Sequence, residues 1–399
     1  MLRHHLLFRL LLTTCLIGIF ASSLETQAQS PTKNSLVNDL AVIKQIGGEA
    51  AGYDAAIDAA KRLSGQPSSA VGEILASMKN GSPLAKNWLR MIAADVADND
   101  SFPQDLLRQF FADQSQDTEA RHAAFQMLVA NDSALKAKLL DGAADDPSLP
   151  VRYAAVATIL DKAAKSKDSG DNDAAVQLFR MVVAQGRNPD QLQTAVKSLD
   201  ALGEKVELAD ELGLIRRWFV MGTFDNTASA NFETIYAPEL SYTKDGRLPA
   251  EWLNAEAIVV KPKGTVPAAT TSLVISDDAM GVVNINPAFN KAKDVIAYCY
   301  AEFEVAQSVD AVARLGCITA SKVWVNGKLA MANEVYHSGT MVDQYLGDCK
   351  LVPGVNSVLI KVCQNAQTEP WAQDWQFQFR LTDRFGGAIK PAAIVQPKP

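Results

Sequence analysis

Near Gly213 the apolar residues of this chain stop recurring every three or four positions and begin to alternate in twos. A helix repeats every 3.6 residues and a strand every two. One chain carrying both periods in separate blocks therefore builds a helical part first and a sheet part second. From Leu36 to about Leu212 the sequence is alanine-rich, and helices are expected over 53–63, 69–78, 83–97, 104–111, 118–129, 150–162, 173–184 and 189–202. The breaks carry stop and start signals: Gly65-Gln66-Pro67, Gly81-Ser82-Pro83, Asp146-Pro147 and Asn188-Pro189. A Ser or Asp before a helix accepts from its unpaired first amides, and proline fits the first turn because its absent N–H would be unpaired there.

DTEARHAAFQML (117–128) is echoed by SLPVRYAAVATIL (148–160), each with an arginine shortly before Ala-Ala. Arg121 and Arg152 are 31 residues apart, and Lys86 precedes Arg121 by 35. That period suits a helix pair that buries its apolar face only by stacking on its neighbours. The DPSLPVRYAA pattern resembles HEAT repeats. A generic helical bundle is the alternative, and the two helices after Asp171 also suit a tetratricopeptide-like pair.

Beyond Gly213 the strands are short and separated by turns. In YCYAEFEV, Cys299, Ala301, Phe303 and Val305 share a face opposite Tyr298, Tyr300, Glu302 and Glu304; in SVLIKV, Val358, Ile360 and Val362 do the same. Asn326-Gly327 between apolar stretches signals a hairpin, since both residues accept positive φ. A long acidic connection is expected over 237–252. Many short strands in such a span suit an antiparallel β-sandwich. WFVMGTFDN (218–226), KVWVNGKL, DQYLGDCKLVPGVNSVLIKVCQN and DWQFQFRLTDRFG resemble, in that order, a jelly-roll domain of the galactose-binding-like class, of the sugar-binding type attached to exported glycoside hydrolases. The expected division is a signal peptide (1–28), HEAT-like helical repeats (29–212), a galactose-binding-like sandwich (213–390) and a C-terminal tail (391–399).

The N-terminal thirty residues place Arg3 and Arg9 before an apolar run from Leu10 to Ala21, followed by Thr26-Gln27-Ala28. This is the grammar of a secretory signal, too short for a comfortable membrane span. A mature chain starting near Gln29 is expected to be periplasmic or extracellular, with no membrane span; an uncleaved anchor is the alternative. Export makes Cys299, Cys317, Cys349 and Cys363 candidates for one or two disulfides in any of three pairings, or else small buried apolar residues. The formal charge of −7 disfavours nucleic acid as a partner.

Catalytic signals are few. Outside the signal only His122 and His337 remain, one in each half, so no histidine-rich metal site is expected. No nucleophile elbow surrounds Ser321 or Ser338, and no phosphate-cradling glycine loop occurs. Asp277-Asp278 reads as a turn. Asp225, Asn226 and Glu239 are oxygen donors of the type that calcium takes, which galactose-binding-like domains often carry by resemblance, but no metal and no cofactor are assigned.

The remaining candidate is a rim. NEVYHSGTMVDQY (333–345) concentrates Tyr336, His337 and Asp343, and CQNAQTEPW (363–371) supplies Gln364, Asn365 and Trp371. Planar amides and carboxylates match adjacent sugar hydroxyls, and an indole face suits the C–H side of a sugar ring. The same loop also suits a packed corner in which Trp371 caps the core. The expected protein is a non-enzymatic carbohydrate or glycoconjugate binder whose helical repeats offer a surface to another protein. The alternatives are a scaffold that binds no sugar and a carboxylate-based polysaccharide hydrolase working near His337.

Overall fold

A computed structural model describes residues 33–253 and 270–390. The expected signal segment 1–28 and the tail 391–399 lie outside the described residues. Eleven α-helices precede the first strand among the described residues, with a 3₁₀ turn at Ser68–Ala70 leading into the third: α1 (Lys33–Lys44), α2 (Tyr53–Ser64), α3 (Val71–Ala76), α4 (Pro83–Ala97), α5 (Gln104–Ala112), α6 (Thr118–Asn131), α7 (Leu135–Leu140), α8 (Leu149–Asp168), α9 (Asn172–Gln185), α10 (Pro189–Ala201) and α11 (Leu208–Leu212). Antiparallel sheets follow, so the chain is helical first and β second.

The helix starts follow the expected chemistry. Ser82 Oγ accepts from Ala85 N, Asp117 from Glu119 N and Ala120 N, Asp171 from Ala174 N, and Asn188 from Asp190 N. Ser148 differs: its hydroxyl donates to Thr118 O at 2.9 Å, tying α8 back to α6. On α4, Ala85, Leu89, Ile92, Ala93 and Val96 are buried, one stripe at helical spacing. Helices pack on sequence neighbours, α1 on α2, α3 on α4, α5 on α6 and α8 on α9, and one core runs from Leu36 to Leu199.

The basic residues at spacings of 35 and 31 do not repeat one bond. Lys86 Nζ pairs with Asp117 at 2.9 Å and Glu119 at 2.8 Å. Arg121, 2% exposed, donates from both Nη atoms to Asp146 at 2.7 Å and from Nε to Phe111 O at 2.9 Å. Arg152 binds only main-chain carbonyls, Asp146 O at 2.8 Å and Asp145 O.

The strands are β1 (Arg217–Asp225), β2 (Thr270–Ile275), β3 (Val283–Asn284), β4 (Val295–Val305), β5 (Val309–Cys317), β6 (Ser321–Val325), β7 (Lys328–Asn333), β8 (Tyr345–Leu351), β9 (Gly354–Gln364) and β10 (Gln376–Thr382). They form a six-stranded sheet in the order β2-β1-β4-β9-β6-β7 and a four-stranded sheet in the order β3-β10-β5-β8, with antiparallel pairings. The inner faces meet in one core. From the larger sheet come Trp218, Cys299, Phe303, Val358 and Ile360; from the smaller, Leu315, Phe377, Phe379 and Leu381. Trp218 stands edge-on to Phe377 and Phe379, with ring centroids 5.0 and 5.8 Å away. Asn326 (φ 49°) and Gly327 (φ 79°) make the β6–β7 turn. A Cβ on Gly327 would lie 3.0 Å from Gly246 Cα, so this turn requires glycine for contact as well as for φ.

Two expectations change. The connection over 237–252 contains a helix, α12 (Ala237–Asp245), and a 3₁₀ turn at Ala250–Trp252. The segment 226–253 crosses the outer face of the larger sheet, burying Tyr298, Tyr300, Leu359 and Trp324 beneath Phe232, Tyr242 and Leu253. Lys361 fastens it: its fully buried Nζ donates to Phe232 O and Thr234 O, each at 2.7 Å. Burial pushes this lysine's pKa down, although Glu239 opposes the shift. The polar face of β10 is also buried: Gln378 Nε2 donates to Met280 O, in the turn between β2 and β3, at 2.6 Å, and Arg380 Nη1 reaches the helical half at Leu212 O, 3.2 Å away. A small apolar cluster of Leu192, Leu208, Ala209, Leu212 and Leu214 fills the same seam.

None of the four cysteines forms a disulfide. They belong to different layers: Cys299 and Cys317 face the inner core from opposite sheets, Cys363 faces the outer core and Cys349 lies on the edge strand β8. Burial pushes the thiols of Cys317 and Cys349 up to about 11 and that of Cys363 up to about 12. Among the described residues no helix is long and apolar enough to cross a membrane, and no group of three His, Cys, Asp or Glu side chains is placed to hold a metal.

Candidate functional site

Two crossovers between the sheets meet at one corner. The first, 365–375, leaves β9 of the larger sheet for β10 of the smaller one; the second, 334–344, runs from β7 to β8. Each must turn a strand end through the thickness of the core, so neither can be a tight hairpin. In the first, a 3₁₀ turn at Pro370–Ala372 points Ala372 into the fold, fully buried, and leaves Trp371 58% exposed. Trp218 and Trp375 are fully buried and Trp324 is 5% exposed, so Trp371 differs from the core tryptophans.

His337 joins the crossovers. Its Nε2 lies 3.0 Å from Asn365 Oδ1 and its ring stands edge-on to the Trp371 indole, centroids 5.1 Å apart. Its backbone is left-handed (φ 57°), and its Nδ1 is buried without a hydrogen-bond partner. Asn365 Nδ2 donates to Gln367 Oε1 at 2.9 Å, and Asn365 Oδ1 accepts from Gln367 N at 3.2 Å. Behind them Asn226 Nδ2 donates to Tyr336 OH at 3.0 Å and to Gln364 O at 3.1 Å. Burial pushes the Tyr336 phenol up, with the Asn226 bond opposing.

Of the six residues expected at the rim, Tyr336, His337, Asn365 and Trp371 come together. Gln364 is fully buried and supports the corner from beneath: its Nε2 donates to Asp374 O at 3.3 Å and its Oε1 accepts from Asn365 N at 3.1 Å. Asp343 is elsewhere. The second crossover has by then reached the side facing the helices, where Asp343 accepts from Arg380 Nε at 2.8 Å and Arg314 Nη1 at 2.9 Å. It therefore belongs to the seam, and a hydrolytic role for it beside His337 loses its geometry. Asn226, singled out in the sequence only as an oxygen donor suited to calcium, instead pins Tyr336. Asp225 is bonded to Thr227 and Asn231, and Glu239 accepts from Tyr298 OH at 2.7 Å, so each of these oxygen donors already has protein partners.

The corner offers an exposed indole face, an imidazole edge and planar amides. Such a set can stack on a flat C–H surface and exchange hydrogen bonds with hydroxyls.

No family model matches the chain, and no curated protein matches it. Among solved structures it is similar to a GH31 α-xylosidase from Xanthomonas citri at 17% identity over 22% of this chain and 11% of that one, TM-score 0.15. It is also similar to a β-glucosidase from Kluyveromyces marxianus at 10% identity over 48% of this chain and 32% of that one, TM-score 0.22. The chain thus spans a third or less of the length of either enzyme.

Proposed function

We propose that this chain is an exported, non-catalytic binding protein whose β half is a galactose-binding-like jelly roll that takes carbohydrate or glycoconjugate at the Trp371 corner. The helical half is a HEAT-like solenoid that offers a surface to another protein, and exposed Met91, Tyr153 and Met181 are apolar side chains of the kind such a surface uses. The observation that carries the reading is the indole of Trp371, held outward at 58% exposure beside His337 and Asn365. An indole kept outside the core contributes little to folding and is free to stack on a ligand. The scaffold reading draws on a different observation, the bonding of Gln364, Asn365 and Gln367 to one another and to nearby main chain. A glycan array probed with the full chain and with Trp371→Ala separates the two. Glycans retained by the first and released by the second support recognition; an array blank for both leaves the scaffold.

A further inference from the structure

The seam between the helical half and the sheets holds a cleft of about 520 Å³. Its helical wall includes Arg152, Tyr153 and Arg187, and its β wall Arg314 and Met341. Arg152 is 8% exposed, and the partners of its guanidinium are the carbonyls of Asp145 and Asp146. Arg187 is likewise bonded to main chain, its Nη1 donating to Ala184 O, Gln185 O and Gly186 O at 3.3, 3.2 and 2.8 Å, while its Nε is buried with no partner. Burial first, and then the charge of Arg187, push the Arg152 pKa down. Two guanidiniums with no carboxylate hydrogen-bonded to them thus face one cavity and repel each other, with the charges of Asp145, Asp146 and Asp383 opposing that repulsion at Arg152.

Three of the carboxylates near the cleft are already engaged; a fourth, that of exposed Asp145, acts on Arg152 only through its charge. Asp146 is bound bidentately by Arg121, and Asp343 is shared by Arg314 and Arg380. Asp383 Oδ1 accepts from Phe385 N at 2.7 Å and Gly387 N at 2.8 Å, closing the turn that carries Gly386. A Cβ on Gly386 would lie 3.5 Å from Arg187 Cβ and 3.8 Å from Arg314 Nη2, so this turn runs close to both arginines. Leu149 and Tyr153 of the first turns of α8, and Pro189 and Asp190 of the first turn of α10, line the same cleft, bringing the positive ends of two helices to it. Asp190, exposed at the mouth, is the one lining carboxylate without a basic partner.

We propose that this cleft binds a small organic anion, with a carboxylate, phosphate or sulfate group between Arg152 and Arg187 and an apolar or aromatic body against Tyr153 and Met341. Planar guanidiniums take such oxyanions through paired hydrogen bonds, and these are strong where burial excludes water. The ligand touches both halves, so its binding couples them.

The test is isothermal titration of the full chain with benzoate, phenyl phosphate and phenyl sulfate, and with neutral benzamide. At least one anion is expected to saturate the site at one equivalent, more tightly than benzamide and more weakly as salt is raised. Arg187→Gln is expected to weaken it about 10- to 100-fold, the loss that goes with a charged hydrogen-bonding partner. Met341→Glu, at a side chain 68% exposed and outside both cores, is expected to weaken it with the melting temperature unchanged. The anion that binds tightest identifies the oxyanion class. Benzamide binding as well as benzoate, unchanged affinity in both variants, or no saturation by any anion up to about 10 mM overturns the proposal.

Discussion

The helical half is assembled from contacts between neighbours in sequence; the sheet half is assembled from strands far apart in sequence. In the first, a side chain such as Lys86 or Arg121 reaches the loop that begins the next helix or helix pair. In the second, β9 pairs with β4 and β6, and β10 with β5 and β3. Damage to a helix therefore loosens one joint, whereas damage to the inner sheet core removes support from every strand at once. The two cores remain separate, and between them lie the small cluster around Leu212 and Leu214, the polar face of β10 and the arginine-lined cleft.

The largest expected effect is in the sheets. Trp218→Ala removes a fully buried indole that packs on Phe377 and Phe379, and is expected to cost about 3–5 kcal/mol. In a thermal melt, near-ultraviolet ellipticity from the β half should disappear at a lower temperature while helical ellipticity at 222 nm persists. Both signals falling together by the same amount would mean one cooperative unit, and the comparison would fail.

Arg121→Ala is the matching test in the helices. It strands the Asp146 carboxylate, 3% exposed, and is expected to cost about 3–5 kcal/mol in the helical transition alone. Replacing both partners by apolar residues should recover much of that loss, because the expense lies in an unpaired buried charge. Equal melting of the single and double variants would show that the pair matters through shape.

The alternation of β4 and β9 was legible because a strand buried on one face writes its period into the chain: Cys299, Phe303, Val358 and Ile360 all reach the inner core. Phe377, Phe379 and Leu381 face the inner core as their spacing indicates. The opposite face was not legible. Arg380 is buried against the helical half, Gln378 beneath the Met280 turn, and Tyr298 and Tyr300 under the 226–253 crossing, and local period carries no information about what covers a second face. Helix starts at Pro83, Thr118 and Pro189 were fixed by capping residues, whereas α7 and α11, six and five residues long, are too short to show a period. At the candidate site, sequence proximity grouped Asp343 with His337, although the crossover between them carries Asp343 to the other side of the sheets. Trp371 and His337 are brought together only by two crossovers meeting in space.

Smaller effects separate the halves by pH. His122, on α6, has its pKa pushed down by burial and then by Arg90, so the unfolded state binds the extra proton. Stability from this group is present above the ordinary histidine value of about 6.5 and is lost as pH falls from there through the lower folded value. In the β half, burial raises Cys317, Cys349, Cys363 and the phenols of Tyr298 and Tyr300. Their contribution is full below about pH 8.5, where the unfolded thiols begin to ionise, and is lost as pH rises through the folded values. Denaturant melts at mildly acidic pH should weaken the helical transition, and melts above about pH 9 the sheet transition. The reverse order would contradict the assignment of these groups.

The smallest expected change in stability belongs to the residue on which function is proposed to rest. Trp371 sits outside both sheet cores, whereas Trp218 and Trp375 fill the inner one. Titration calorimetry and thermal melting of the full chain and of Trp371→Ala, using a polysaccharide retained on the array, test that distinction directly. The account predicts a melting temperature within about 2 °C of the parent, under about 0.5 kcal/mol, with binding reduced at least tenfold. A loss of roughly 3–5 kcal/mol, as for a core indole, with sugar affinity unchanged or absent in both proteins, would contradict it.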